Sequence, residues 1–194
     1  PDPRAVNDGW RRLAEIGAVD DARRLTSMGK QLARIPIDAQ LARMLVESRI
    51  LGVAQDVLPI VAFLGIQDPR ERPADKQQQA DTAHAEFADP QSDFIGVLNL
   101  WNAYRMAHEE LTQSKLRDWC ARRFVSFMRM REWRELHRQL LLENGNGESG
   151  IGNRKAQVTA GPALTIPDSR FSTPEFYEPI HIALLSGLPT NVAR

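Results

Sequence analysis

The 194-residue chain carries 25 Lys/Arg against 25 Asp/Glu, a formal net charge of zero, and is 42% apolar. This balance excludes a uniformly basic nucleic-acid coat, leaves room for local patches, and supplies enough apolar surface for a packed core. The single cysteine, Cys120, excludes an intrachain disulfide and fits a reducing, cytoplasmic compartment, and no apolar run approaches the roughly eighteen residues of a membrane helix.

There is no initiator Met and no signal peptide, and both ends are abrupt, so the chain is expected to be a piece of a longer protein. Asp2-Pro3 followed by Val6, Trp10, Leu13, Ala14 and Ile16 predicts a capped amphipathic helix closed by Gly17. "AVDDARRLT" is too short for a helix, and its Asp20-Asp21 turn predicts a small β-hairpin. Next comes Gly29-Lys30, a pair also found in phosphate-binding loops. Such a loop requires a glycine five positions earlier, so that backbone N–H groups can curl around phosphate, and a Ser or Thr directly after the lysine to ligate magnesium. Arg24 and Gln31 stand there instead. The pair therefore reads as part of a short helix capped by Thr26 or Ser27, with Lys30 in solvent, Leu25, Leu32 and Ile35 facing a core, and Pro36 as the stop. A longer helix over "DAQLARMLVESRILG" ends at Gly52. Three helices and one small hairpin in the first fifty or so residues make a winged-helix pattern.

"VAQDVLPIVAFLGI" reads as an apolar helix. Residues 67–93 form a polar stretch with seven acids (Asp68, Glu71, Asp75, Asp81, Glu86, Asp89 and Asp93) against three bases, read by itself as a solvated loop and helix. Helical periodicity resumes over "FIGVLNLWNAYRMAHEEL" and over Lys115–Glu143; "NGNGESGIGNRKAQVTAGP" is a Gly/Asn-rich linker, and "TPEFYEPIHIALLSGL" is a last helix.

Motifs for catalysis are lacking. His108-Glu109-Glu110 begins like a zinc-protease helix, but Thr112 stands where the second histidine belongs. His84, His108, His137 and His181 share no ligand spacing, and Cys120 lies between Trp119 and Phe124 as a buried thiol would. The informative feature is Lys115–Glu143, with eight Lys/Arg against four Asp/Glu. Read as one helix, steps of seven put Lys115, Arg122 and Arg129 on one face, Arg131, Arg134 and Arg138 form a second strip, and Leu116, Cys120, Phe124 and Phe127 make the apolar face between. A row of guanidiniums on a rigid helix suits repeated phosphates. The competing expectation is a solvated face paired with the acidic stretch.

"DGWRRLAEIGAVD" and "RRLTSMGKQLARIPIDAQLARML" resemble the winged-helix module of DEAH-box RNA helicases. "FADPQSDFIGVLNLWNAY", "LRDWCARRFVSFMRMREWRELHRQL" and "IHIALLSGLPTNVA" resemble the helical, ratchet-like helicase-associated domain that follows it, most closely in the bacterial HrpA type. Ala39 and Phe94 stand where relatives often have proline and histidine. The resemblance implies a mainly α fold: a small winged-helix domain with a short β-hairpin over 1–51, then a larger helical ratchet-like domain over 52–194 with a flexible insertion at about 144–172. It also implies a non-catalytic accessory fragment that packs on the motor domains and walls part of a single-stranded RNA tunnel. Lys115, Arg122, Arg123 and Arg129 are then expected on the strand path; because relatives often carry asparagine at Arg123, no specific family contact is carried over to it. No cofactor is expected in the fragment itself, ATP and magnesium being implied for the motor domains of the parent hydrolase. A protein activator docking on the winged helix, a pure interaction scaffold, and a stand-alone winged-helix DNA-binding regulator are the alternatives.

Overall fold

The structure, a computed structural model, describes residues 2–145 and 174–188; most of the insertion expected at 144–172 lies outside them. The described residues form nine helices: α1 (Pro3–Glu15), α2 (Ser27–Leu32), α3 (Ala39–Ile50), α4 (Ala54–Leu64), α5 (Gln77–Ala85), α6 (Asp93–Glu110), α7 (Gln113–Arg122), α8 (Phe127–Gly145) and α9 (Pro174–Ser186). The fold is mainly α, as expected, and none of these helices is long and apolar enough to cross a membrane. Contacts gather the chain into two units, residues 1–68 with 174–194, and residues 69–173. This division differs from a cut after residue 51, because α4 and α9 both pack with α3.

In the first unit, Asp2 caps α1 by accepting from the Arg4 N–H at 3.0 Å, and Asp38 caps α3 by accepting from the Gln40 N–H at 2.8 Å. Gly17 and Gly52, each at φ +73°, close α1 and α3. In both cases the glycine N–H and the next residue's N–H return to carbonyls of the last turn (Gly17 to Ala14 and Ala18 to Leu13; Gly52 to Arg49 and Val53 to Ser48). The expected hairpin is reduced to one antiparallel bridge, Val19 with Leu25. Its turn is tied by Asp20, whose carboxylate accepts from the Arg24 N–H at 2.8 Å and from Arg24 Nε at 2.9 Å, and these bonds hold the Asp20 pKa below its ordinary value. Leu25 is 59% exposed rather than in the core, while its bridge partner Val19 is buried. Ile16, Ala18, Leu32, Ala42 and Val46 form the core of this end, with Ile35 packed against them. The α4 run from Val57 to Phe63 is buried throughout, as an all-apolar helix must be. Helix α9 places Ile180, Ala183 and Leu184 in the core and ends at Gly187, where a Cβ would strike the Gln40 carbonyl and the Met44 side chain.

Gly29 is explained by the same kind of contact. Thr26 donates to the Gly17 carbonyl at 2.6 Å and accepts from the Gly29 N–H at 3.0 Å, which presses the start of α2 onto Ala18. A Cβ on Gly29 would run into the Ala18 carbonyl. The glycine before Lys30 serves helix-to-backbone packing.

The second unit contains α5 to α8 and corrects the reading of Lys115–Glu143 as one helix. Helix α7 stops at Arg122, and α8 starts at Phe127. Between them Phe124 adopts φ +51°, its N–H donates to the Ala121 carbonyl, and the Val125 N–H donates to the Cys120 carbonyl. This is the closure made at Gly17 and Gly52, with phenylalanine at the left-handed position. Trp119 and Cys120 are buried as expected; Phe124 is half-buried, since the reversal carries it off their face. Aromatic rings cluster in the rest of the core, beside aliphatic residues such as Ile95, Leu98 and Leu140: Trp101 lies 5.0 Å from Trp133 and 4.6 Å from His137 between ring centroids, and Tyr104 lies 6.1 Å from Trp119.

Two stability outcomes follow. Gly29→Ala should lower stability by about 1–3 kcal/mol through overpacking, whereas Gly9→Ala, on an α1 position with nothing near the new methyl, should raise it by about 0.5–1 kcal/mol. Denaturant midpoints of the two variants should therefore move in opposite directions. At position 124, Gly should be more stable than Ala by about 1 kcal/mol, because only glycine enters the left-handed region freely. If Phe124→Ala equalled or exceeded Phe124→Gly in thermal midpoint, the reversal described for α7 would be wrong.

Candidate nucleic-acid interface

The break between α7 and α8 decides what each basic residue can do. On α7, Lys115 and Arg122 lie two turns apart on one face, and both are exposed. Neither makes an ion pair among the described residues. Arg129 belongs to α8 and is half-buried. The seven-residue step that joined it to Lys115 and Arg122 holds only along a continuous helix, so it does not extend their face by register.

Arg123 is held structurally. It occupies the C-terminal cap of α7, its side chain only 24% exposed. Its guanidinium lies 4.4 Å from the centre of the Trp119 ring and pairs with Glu86 at 3.1 Å. The surrounding acidic stretch is more than a solvated loop. The Phe124 carbonyl accepts from the Glu71 N–H at 2.7 Å and meets His84 Nε2 at 3.1 Å. The Ser126 N–H donates to the Pro69 carbonyl, and Arg70 bridges Val125. Arg72 grips Asp81 through two bonds of 2.7 and 2.6 Å, and Phe87 packs near Trp119. The expectation that this stretch neutralises the basic face thus holds for Arg123 and does not extend to Lys115 or Arg122. Sequence reading missed the anchoring role of residues 69–71 and 84–87; the only hint was the apolar Phe87 among acids.

The second basic strip also divides. Arg138 pairs with Glu135 at 2.6 Å, while Arg131 and Arg134 line a cleft between α6, α7 and α8. Burial pushes the Cys120 thiol up to about 11, which suppresses the thiolate that nucleophilic chemistry would require. Among the described residues no group of three or more His, Cys, Asp or Glu could hold a metal ion.

Comparison with known proteins supplies the relationship. Residues 9–37 match the winged-helix part of the helicase-associated domain (HA2), and residues 38–97 match its ratchet-like part. The chain is 38% identical over 197 residues to the ATP-dependent RNA helicase HrpA of Escherichia coli and 35% identical over 199 residues to the HrpA homolog of Haemophilus influenzae, in each case across 99% of the chain. The chain belongs to the helicase-associated (HA2) family. It spans 14% of the length of each of those two proteins. It is also 32% identical over 142 residues to the pre-mRNA-splicing factor ATP-dependent RNA helicase prp22 of Schizosaccharomyces pombe, covering 73% of the chain and 12% of that protein. The boundary between the two HA2 matches falls at residue 38, the cap of α3, so α3 goes with the ratchet-like match.

Within this HA2 region, Arg123 and Arg122 are neighbours with opposite roles. Arg123→Ala should cost about 1–2 kcal/mol by removing a cation–π contact and a partly buried pair. Arg122→Ala should leave the thermal midpoint nearly unchanged. Equal effects of the two substitutions would contradict the division drawn here.

Proposed function

We propose that this HA2 region is a non-catalytic accessory part of a cytoplasmic, ATP-dependent RNA helicase, packing on the motor domains of the same parent and forming part of the path of a single RNA strand. The observation that carries the reading is the α7 face. Lys115 and Arg122 are exposed, share one side of a helix and make no ion pair among the described residues, while Arg123 beside them is engaged with Glu86. Unpaired cations on a rigid helix meet backbone phosphates without reading bases, which suits a motor that must accept any sequence. The likeness to HrpA-named helicases over 99% of the chain supports RNA as the nucleic acid.

ATP and magnesium belong, in this reading, to the motor domains. The residues around Gly29-Lys30 do not fit a triphosphate: Arg24 and Gln31 replace the needed glycine and hydroxyl, and Gly29 is pressed against the Ala18 carbonyl. A free-standing DNA-binding winged helix is disfavoured, because α2, the helix that would have to enter a groove, has only six residues and one cation, Lys30.

Binding of single-stranded oligonucleotides to the full-length helicase, measured across salt concentration, tests the reading. Replacing Lys115 and Arg122 by Ala together should weaken binding and reduce the log–log salt slope by about 1.4, two phosphates at roughly 0.7 each. The loss should be the same for A-rich, U-rich and C-rich strands. An unchanged slope and affinity in the folded double variant would rule out α7 as part of the strand path.

A further inference from the structure

The cleft between α6, α7 and α8 has a volume of about 260 Å³ and is lined by Tyr104, His108, Leu111, Gln113, Leu116, Phe127, Arg131 and Arg134. Its lining is mixed: Leu111, Leu116 and Phe127 are apolar, Arg131, Arg134, His108 and Gln113 are polar, and no carboxylate lines it. Arg131 and Arg134 are exposed and make no ion pair among the described residues: Arg134 leans on the His108 ring, and Arg131 lies 5.9 Å from the centre of the Phe127 ring. Glu109 acts on His108, and Glu135, paired with Arg138, also interacts electrostatically with Arg134.

A second, independent observation comes from the cleft floor. Tyr104 is 1% exposed, and its hydroxyl is buried without a hydrogen-bond partner. A buried unsatisfied hydroxyl costs roughly 1–3 kcal/mol, so one that persists beside a cavity points to a group that completes it. Burial raises the Tyr104 pKa, and Cys120, Arg134 and Arg131 are the charged or titratable groups that act on its hydroxyl. The N-terminus of α7 also opens here, at Leu111 and Gln113, and the side chain of its N-cap, Thr112, makes no capping bond. The first-turn N–H groups are thus left for an outside acceptor. Burial and the neighbouring Arg134 lower the His108 pKa, which favours the uncharged ring as an acceptor or donor.

We propose that this cleft is a nucleoside-phosphate site. The phosphate sits between the Arg131 and Arg134 guanidiniums, the Tyr104 hydroxyl and the α7 N-terminus, and the base lies against Leu111, Leu116 and Phe127. The site is separate from the Lys115–Arg122 face and does not depend on it. Its occupant is a single nucleotide unit, supplied either by a free mononucleotide or by an RNA strand.

Titration of the 194-residue chain by calorimetry with AMP, adenosine, inorganic phosphate and a short single-stranded RNA tests the assignment. AMP or the RNA should bind, and adenosine should bind at least about tenfold more weakly than AMP, since hydrogen bonds to a charged group contribute about 1.5–3 kcal/mol. Arg131→Gln with Arg134→Gln, both at exposed positions, should abolish the difference between AMP and adenosine. Tyr104→Phe, which removes only the hydroxyl, should weaken AMP several-fold while leaving the thermal midpoint unchanged or raised. Binding of RNA but not AMP, lost in the same variants, assigns the site to a strand; binding of AMP assigns it to a free nucleotide as well. No binding of any probe at millimolar concentration, or binding indifferent to all three substitutions, overturns the proposal. Because Lys115 and Arg122 are intact in every variant, failure here is distinct from failure of the α7 strand path.

Discussion

The second unit depends on one carbonyl. Phe124, held at φ +51°, turns its C=O so that it accepts from the Glu71 N–H and meets His84 Nε2. A left-handed non-glycine residue costs about 1–2 kcal/mol, and it persists only when its surroundings over-determine it. Here the determinants are explicit: two N–H groups returning to the last turn of α7, two partners on the Phe124 carbonyl, the Arg70–Val125 bridge, and the Ser126–Pro69 bond. Without the reversal, α7 would run on into α8, and the cleft enclosed by α6, α7 and α8 would have no third wall.

The same closure was legible in two places and hidden in a third, for a physical reason. Gly17 and Gly52 announce a left-handed cap because glycine enters that region without penalty. Phe124 announces nothing: an aromatic residue four positions after Cys120 is also what an uninterrupted apolar face requires. The helical pattern and the left-handed cap make opposite demands on chain direction, yet at this position they accept the same residue. Tertiary bonds from residues 69–84 decide between them, and long-range bonds of that kind leave no periodicity. The hairpin was legible as a turn at Asp20-Asp21 but not as a single bridge, since one bridge and a longer ladder share the same turn chemistry. The helix starts at Asp2 and Asp38 were legible because capping is local.

Gly29 shows how a short motif misleads when its residues answer a different demand. A glycine before a lysine at a helix start is what a phosphate cradle needs, and also what a helix needs to lie on a neighbouring carbonyl. The residues on either side separate the two cases: Arg24 and Gln31 remove the first, and the Thr26 bonds to Gly17 and Gly29 supply the second. The close approach at Gly187, against Gln40 and Met44, uses glycine in the same way where α9 returns to α3 from the far end of the chain. Small residues at such crossings let backbones approach; they carry no chemistry of their own.

The basic residues divide according to how much of their charge the fold already uses. Arg123, Arg72 and Arg138 each face a carboxylate at about hydrogen-bond distance, so an incoming phosphate would compete with a bond already made. Partly exposed pairs of this kind contribute little to stability, but they do lower the local potential available to a ligand. Lys115, Arg122, Arg131 and Arg134 keep theirs among the described residues. They lie in two settings. The first two are exposed on α7, where water and salt screen them. The other two rim a concave, partly apolar cleft, where lower dielectric strengthens each contact and an unsatisfied hydroxyl waits for a partner. One sequence strip, Lys115 to Arg138, therefore holds cations already paired, exposed cations on α7 and cations that rim a cleft. The reversal at Phe124 separates Lys115 and Arg122 from the cations that follow it.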